Sequence, residues 1–313
     1  MKYDIVCSTK NLSTEEWLKI RTLGIGGSDA GIIAGCNPYR SIFELWQEKR
    51  GEIPVKEEES EVIHFGKVLE DVVRKEFIQR TGLMVRKKNS ILRSKEYPFM
   101  IADLDGVVSE FDGTYSIFEA KTAIEFKNND WKNGEIPKAY QLQVQHYLAV
   151  TGFQKAYIAV LVGGNKFYWT EVYRDEQLIK MLVSMESHFW HCVREGEEPD
   201  VDASKATSLY LGAKYNNAKV GSVIDLDEKM LSSIEKYEQI KIELDSLTEQ
   251  KRLVENQLKS ALAENEAGRV GGHIVKWKQV VQTRIDSSKL KEKHKDIYDD
   301  CKKEVTYRKF SVA

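Results

Sequence analysis

No apolar run in this chain approaches the ~20 residues needed to cross a bilayer, which excludes a protein built on membrane-spanning helices. The first residues, Met1-Lys-Tyr-Asp-Ile-Val-Cys7, have no apolar signal core, so a cytoplasmic protein is expected. Cysteine is scarce: Cys7, Cys36, Cys192 and Cys301 stand far apart without a C-x-x-C pair. The six histidines (His64, His146, His188, His191, His273, His294) show no zinc spacing with them. Reduced thiols follow, rather than a disulfide framework, a zinc site or an iron–sulfur centre. An excess of positive charge is also missing. With 47 Lys and Arg against 49 Asp and Glu the net charge is −2, which argues against a non-specific basic coat for nucleic acid. It leaves room for a local basic groove beside an acidic site. The chain has no internal repeats. The glycine cluster Gly24-Ile-Gly26-Gly27 is no Walker A loop, because no Gly-Lys-Ser/Thr follows, and Asp29 stands where G-x-G-x-x-G requires its last glycine.

What is present is ample apolar material: 42% hydrophobic residues in 313, enough for one large core and an appendage. Ser13-x-x-Glu16 is a capping box opening a short helix to Arg21. After the glycine cluster, Ser28-Asp29 begins a second short helix. Residues 65–80 read as an amphipathic helix with Leu69, Val72, Val73 and Phe77 inward. Residues 83–93 and 98–108 read as strands. Asp112-Gly113 is a turn leading into a strand around Glu119. Lys138–Val150 is a helix, 156–162 and 167–172 are a hairpin across Gly163-Gly164-Asn165, and Glu176–Glu195 is a long helix stopped by Gly196. Composition changes after about residue 200. Residues 226–265 repeat apolar positions at three- and four-residue spacing, a long helix with a narrow seam that Gly268, Gly271 and Gly272 should end. His273–Ile285 alternates as a strand, and residues 276–309 are locally basic. The expected division is a core over 1–205 and a C-terminal extension over 206–313.

The chemistry gathers on two acidic stretches, Ile101-Ala-Asp103-Leu-Asp105-Gly106 and Phe118-Glu119-Ala120-Lys121. Alternation puts Asp103 and Asp105 on one side of a strand, and Glu119 and Lys121 on one side of the next. The Glu119 strand is otherwise apolar, so its charges are not a solvent-face pattern. Glu70 lies three and seven residues before Val73 and Phe77, on their inward stripe, where a carboxylate is costly without a cation or a metal. Oxygen ligands of this kind suit Mg²⁺, and Mg²⁺ beside a lysine suits attack of water on a phosphodiester. Glu70, Asp105, Glu119 and the backbone carbonyl of Ala120 are the expected ligands of one Mg²⁺, with Mn²⁺ as substitute and a second ion joining with substrate. Lys121 would orient or deprotonate water and stabilise developing charge. Gln143 would position the water or the lysine, or else is a helix-surface amide. The alternative for the acidic set is a buried structural ion-pair network.

A second constellation suits an anion. Arg21 at a helix end, glycines that admit close backbone approach, and Ser28 at the next helix start make a phosphate site, against the alternative of a turn that needs positive φ. His188-x-x-His191 beside Phe189 and Trp190 reads as helix packing, and Arg86-Lys87-Lys88 as a solvated run that could touch DNA backbone.

In order, W-x-x-x-R (Trp17, Arg21), G-I-G-G-S-D-A (Gly24–Ala30), F-G-x-x-x-E (Phe65, Gly66, Glu70), D-G (Asp105, Gly106), E-A-K (Glu119–Lys121) and Q-V-Q-H-Y (Gln143–Tyr147) resemble the YqaJ-type viral recombinase group. That group belongs to the phage lambda exonuclease branch of the PD-(D/E)xK nucleases. The resemblance spans about residues 13–170. It implies an α/β fold: a restriction-endonuclease-like core with a central mixed β-sheet flanked by helices, here with a helical C-terminal extension. It also implies Mg²⁺-dependent 5′-to-3′ digestion of one strand of linear double-stranded DNA, leaving a 3′ overhang for a single-strand annealing protein. By motif, Glu70, Asp105, Glu119, Lys121 and Gln143 match the catalytic set, and Arg21 and Ser28 match positions that grip the DNA 5′-phosphate. Leu104-Asp105 replaces the usual Pro-Asp and keeps the carboxylate. The resemblance does not reach the last ninety residues, which could pack on the core, assemble a homo-oligomer or meet the annealing protein. Two rivals remain: an endonuclease on the same scaffold, and a catalytically idle module that binds DNA or the annealing protein.

Overall fold

The computed structural model describes residues 2–55 and 60–312. They form two compact units, Met1–Tyr215 and Asn216–Ala313. The first runs ten residues beyond the sequence boundary at 205, because a short helix there packs back on the core. Among the described residues no helix is long and apolar enough to cross a membrane.

In chain order the first unit has β1 (Tyr3–Ser8), α1 (Thr14–Arg21), α2 (Gly27–Ile33), α3 (Ile42–Arg50), α4 (Glu61–Thr81), β2 (Met84–Arg86), β3 (Ser90–Ser94), β4 (Ile101–Asp103), β5 (Gly106–Ser109) and β6 (Tyr115–Ala123). A 3-10 segment (Glu125–Gly134) follows, then α5 (Lys138–Thr151), β7 (Lys155–Val162), β8 (Lys166–Tyr173), α6 (Glu176–Glu195) and α7 (Lys205–Lys214). The main sheet is mixed, in the order β2-β5-β6-β7-β8, with only β6 and β7 parallel. A parallel pair needs a crossover, and α5 supplies it.

Period-two alternation explains why both faces of this sheet are dry. Ile117, Ile158 and Val160 pack under Val144 and Leu148 of α5. Their neighbours Phe118, Tyr157 and Ala159 pack under Val73 and Phe77 of α4. A three-stranded antiparallel sheet, β1-β3-β4, stands beside it. Helices α2, α3 and α6 share a third cluster around Phe43, Trp46 and Phe189, and Tyr210 of α7 stacks on Phe43 at 5.2 Å between ring centroids.

The sequence reading needs several corrections. Each of the two long strands read at 83–93 and 98–108 is broken into a pair lying in different sheets. The second break falls at Leu104-Asp105, so Asp103 and Asp105 do not share one strand. Just beyond the break Gly106 packs closely, since a Cβ there would stand 2.7 Å from Val85 Cγ1. On α4, Val73 and Phe77 are buried but Val72 is exposed. The capping box of α1, the Asp112-Gly113 turn, the β7–β8 hairpin and the bounds of α6 stand as expected.

In the second unit, α8 (Met230–Leu262) is the long helix, followed by the hairpin β9 (Ala267–Val270) and β10 (His273–Lys276), then α9 (Ser287–Lys293) and α10 (Lys295–Cys301). The helix stops at Ala263, not at the glycines; Gly268 lies inside β9, and Gly271 and Gly272 turn the hairpin. The strand expected over His273–Ile285 ends at Lys276. The seam of α8 is largely exposed within this unit.

Candidate active site

The site grows from the edge where β5 stops short of its neighbour. The β5–β6 ladder ends at Gly106 opposite Phe118, leaving residues 119–123 of β6 paired on the β7 side alone. Asp105, at the bend just before β5, fills the gap: its Oδ2 accepts the Ala120 N–H at 2.8 Å. Within a strand the N–H and C=O of one residue point the same way, so the Ala120 carbonyl faces this gap too. Glu119 and Lys121 alternate onto the face covered by α5. There Glu119 Oε1 accepts from Lys121 Nζ and from Gln143 Nε2, each at 2.6 Å. Gln143 Oε1 accepts from the same ammonium at 3.1 Å, and Lys121 Nζ stands 4.7 Å from the Tyr140 ring centroid. Gln143 is buried, 6% exposed, so the surface-amide alternative falls.

The second oxygen of Glu119 decides what the cluster is suited to. Glu119 Oε2 is buried and has no hydrogen-bond partner among the described residues. An unpaired buried carboxylate oxygen costs on the order of 1–3 kcal/mol or more, so it marks a place for a cation or donor the protein does not itself supply. Burial, and then the charge of Glu119, push the Asp105 carboxyl well above the usual carboxylate range. Burial raises Glu119 as well, with Lys121 opposing. For Lys121, burial alone would lower the ammonium's pKa, but Glu119 and Asp105 outweigh it and raise it.

Glu70 reaches the same cavity, of about 640 Å³, from α4. It leans on Lys87, with Nζ to Oε1 at 3.5 Å, both half-exposed. Among the described residues no three His, Cys, Asp or Glu side chains are grouped as a ready cation cage. The donor set nevertheless fits a hard divalent ion. Glu119 offers an empty oxygen, Asp105 sits beside it, and the exposed Lys87–Glu70 pair resists displacement by only ~0–1 kcal/mol.

Arg21 and Ser28 line this cavity too, and Arg21 Nη2 donates to Ser28 Oγ at 2.7 Å. The guanidinium lies 4.9 Å from the Trp17 ring centroid, while Trp17 Nε1 donates to Asp103 Oδ2 at 2.8 Å. Asp103 therefore anchors a helix beside the site. Gly27 is required by close approach, since a Cβ there would stand 2.4 Å from the Tyr147 ring.

Beneath the loop lies a pair that motif reading missed. Lys49 of α3, almost wholly buried, spends its three N–H groups on the carbonyls of Arg21 and Gly24 and on Asp29 Oδ2, each at 2.7 Å. Asp29 also accepts the Gly26 N–H at 2.9 Å and lies 3.5 Å from Arg21. Burial alone would raise the Asp29 carboxyl, but Lys49 and Arg21 bring it down to about 2. Lys49 stands in the last turn of α3, a position where basic residues ordinarily serve the helix end. The available signal was Asp29, an acid facing an apolar helix packing surface. His146 lies behind the site. It is fully buried between Glu186, 2.9 Å from Nδ1, and the Ile101 carbonyl, 2.9 Å from Nε2.

Residues 16–154 match the model of the YqaJ-like viral recombinase domain. Over 312 residues the chain is 42% identical to the uncharacterised protein YqaJ of Bacillus subtilis (strain 168), covering 99% of this chain and 97% of that one. The chain belongs to the YqaJ-like viral recombinase family. Similar solved structures include the alkaline exonuclease LHK-Exo of Laribacter hongkongensis, 19% identical with a TM-score of 0.49, covering 65% of this chain and all of that one. Another is a phage-related exonuclease of Haemophilus somnus 129PT, 14% identical with a TM-score of 0.42, covering 58% of this chain and all of that one. In this YqaJ-like chain the six sequence motifs described above all lie in the first unit. All six (those of Trp17 and Arg21, Gly24–Ala30, Glu70, Asp105, Glu119–Lys121, and Gln143) contribute to the same cavity.

Proposed function

We propose that this YqaJ-like recombinase is a divalent-cation-dependent deoxyribonuclease. It works from the ends of linear double-stranded DNA in the 5′-to-3′ direction and leaves 3′ overhangs for a single-strand annealing protein. The observation that carries the reading is the Glu119 carboxylate: one oxygen is saturated by Lys121 and Gln143, and the other is buried and empty beside Asp105. A structural ion pair has no use for that second oxygen.

Glu119, Asp105, the Ala120 carbonyl and, after leaving Lys87, Glu70 would hold Mg²⁺ or Mn²⁺, with room for a second ion once substrate brings phosphate oxygens. The bound metal would polarise the phosphodiester and lower the pKa of a coordinated water. The rest belongs to the chain's own side chains. Lys121 is held as an ammonium by its acidic neighbours, which suits it to gripping the attacking water and stabilising the extra negative charge of the pentavalent phosphate. Gln143 ties Lys121 and Glu119 into one geometry. Arg21 and Ser28, joined to each other at the cavity wall, would receive the terminal 5′-phosphate, which explains an end-directed enzyme.

The test is a gel assay with end-labelled linear duplex alongside covalently closed circles, with and without Mg²⁺. The expected result is metal-dependent shortening of the linear molecule alone, faster from 5′-phosphate than from 5′-hydroxyl ends. Nicking of closed circles would replace the exonuclease reading with an endonuclease, and no cleavage of either would support the idle module.

A further inference from the structure

The end of α1 and the turn after it, from Arg21 to Leu23, separate two concavities. Arg21 faces the acidic cavity, while Leu23 faces a groove of about 330 Å³ lined also by Arg93, Pro98, Phe99, Trp190 and Arg194. Their Cα atoms are at most about 7 Å apart along the chain. Among the described residues no carboxylate lines this groove. Arg93 Nε is buried without a hydrogen-bond partner among the described residues. Asp4, across the β1–β3 ladder from Arg93, pairs with Lys95 instead, and no ion pair of Arg93 or Arg194 occurs among the described residues.

We propose that this groove receives unpaired nucleotides of the 3′-ended strand as the duplex end is digested. The inference rests on the nuclease reading and adds the path of the uncut strand. When one strand's 5′ end is drawn toward Arg21, its complement must part from it at the same turn, and the groove begins on that turn's far side. A groove of this size cannot admit a duplex, but it fits a splayed base and its phosphate. Guanidiniums supply sequence-independent phosphate contacts and the half-buried rings of Trp190 and Phe99 supply stacking surfaces, the combination that binds single strands regardless of sequence.

The experiment uses the full chain in EDTA, which keeps hydrolysis silent, and reads anisotropy of a ten-nucleotide oligothymidylate with a 5′-fluorescein in place of the phosphate. Wild type should bind. Trp190→Ala should weaken binding about ten-fold or more, with circular-dichroism melts confirming the fold. Arg93→Gln with Arg194→Gln should lower the slope of log affinity against log salt by about 1.4, for two lost contacts to single-stranded phosphate. Unchanged affinity and slope in both variants would overturn the proposal. So would a fluorescein-labelled acidic peptide that loses binding in these variants while the oligonucleotide does not, since the groove would then be a protein-docking site. Cleavage assays report separately on the nuclease reading, because Glu119→Gln should stop cutting yet keep wild-type oligonucleotide binding.

Discussion

Gln143 and Glu119 are joined by a 2.6 Å hydrogen bond that ties the crossover helix α5 to β6, the strand that the helix leaves behind. Lys121 bonds both partners, so the three side chains close a triangle. Glu119 Oε2 stays buried outside the triangle, with no hydrogen-bond partner among the described residues. Rigidity of this kind is what a phosphoryl-transfer site needs, because misplacement of the lysine or carboxylate by an ångström forfeits much of the rate.

Replacing Gln143 with Leu removes the helix's grip on both charges while keeping an apolar body in the core. Turnover of linear duplex should fall 10–100-fold, the usual loss when a group that orients a ligand is removed. The melting temperature should change little, because the Glu119–Lys121 bond survives. Steady-state cleavage at saturating DNA measures this, and unchanged turnover would strip Gln143 of its positioning role.

Asp105→Asn separates stability from function. The folded-state pKa of Asp105 lies above its ordinary 3.8, so its protonated form stabilises the fold. That contribution is fully present below the unfolded pKa and is lost as pH rises through the folded one. Ionising this buried carboxyl is therefore a burden on the fold. Asn can still accept the Ala120 N–H without a charge. The metal-free variant should be more stable than wild type at pH 7 by about 0.5–2 kcal/mol, with the difference shrinking at low pH, and should not cut DNA. A lower melting temperature at pH 7 would contradict this account.

How much was legible in the sequence follows from how local each signal is. Capping boxes, Asp-Gly turns and αL glycines act within a few residues, so the starts of α1 and the ends of α6 could be read directly. Acid–lysine alternation on an apolar strand exposed Glu119 and Lys121 for the same reason. The break between Asp103 and Asp105 was hidden, because it depends on β4 and β5 pairing with different strands in different sheets. Lys49 was hidden more deeply. Nothing near it in the chain distinguishes it from a solvated helix-end lysine, and its three acceptors lie twenty or more residues upstream. The long C-terminal strand was overread because alternation by itself contains no partner.

Lys87 competes with any cation for Glu70 through a pair at 3.5 Å. Both groups are substantially exposed, so the pair is worth ~0–1 kcal/mol. Lys87→Ala should therefore tighten Mg²⁺ or Mn²⁺ binding, measured by titration calorimetry without DNA, by up to about five-fold. Weakened binding would mean that Lys87 helps to aim Glu70 rather than holding it back.

Lys49 and Asp29 are each nearly inaccessible and satisfy each other, so removing one charge strands the other. Lys49→Met should cost about 3–5 kcal/mol, seen in urea unfolding, and should erase the preference for 5′-phosphate over 5′-hydroxyl ends because the carbonyls of Arg21 and Gly24 lose their anchor. Should that variant fail to fold, Asp29→Asn combined with Lys49→Met leaves no buried charge and should recover most of the stability without recovering the preference. The double variant also isolates a pH effect. Asp29 is depressed from 3.8 to about 2 in the folded chain, so its contribution is present above pH 4 and drains away as pH falls toward 2. Wild type should lose about 2 kcal/mol more than the double variant over that interval. A double variant that retains full discrimination between phosphorylated and hydroxyl ends would show that the loop holds its shape without the pair.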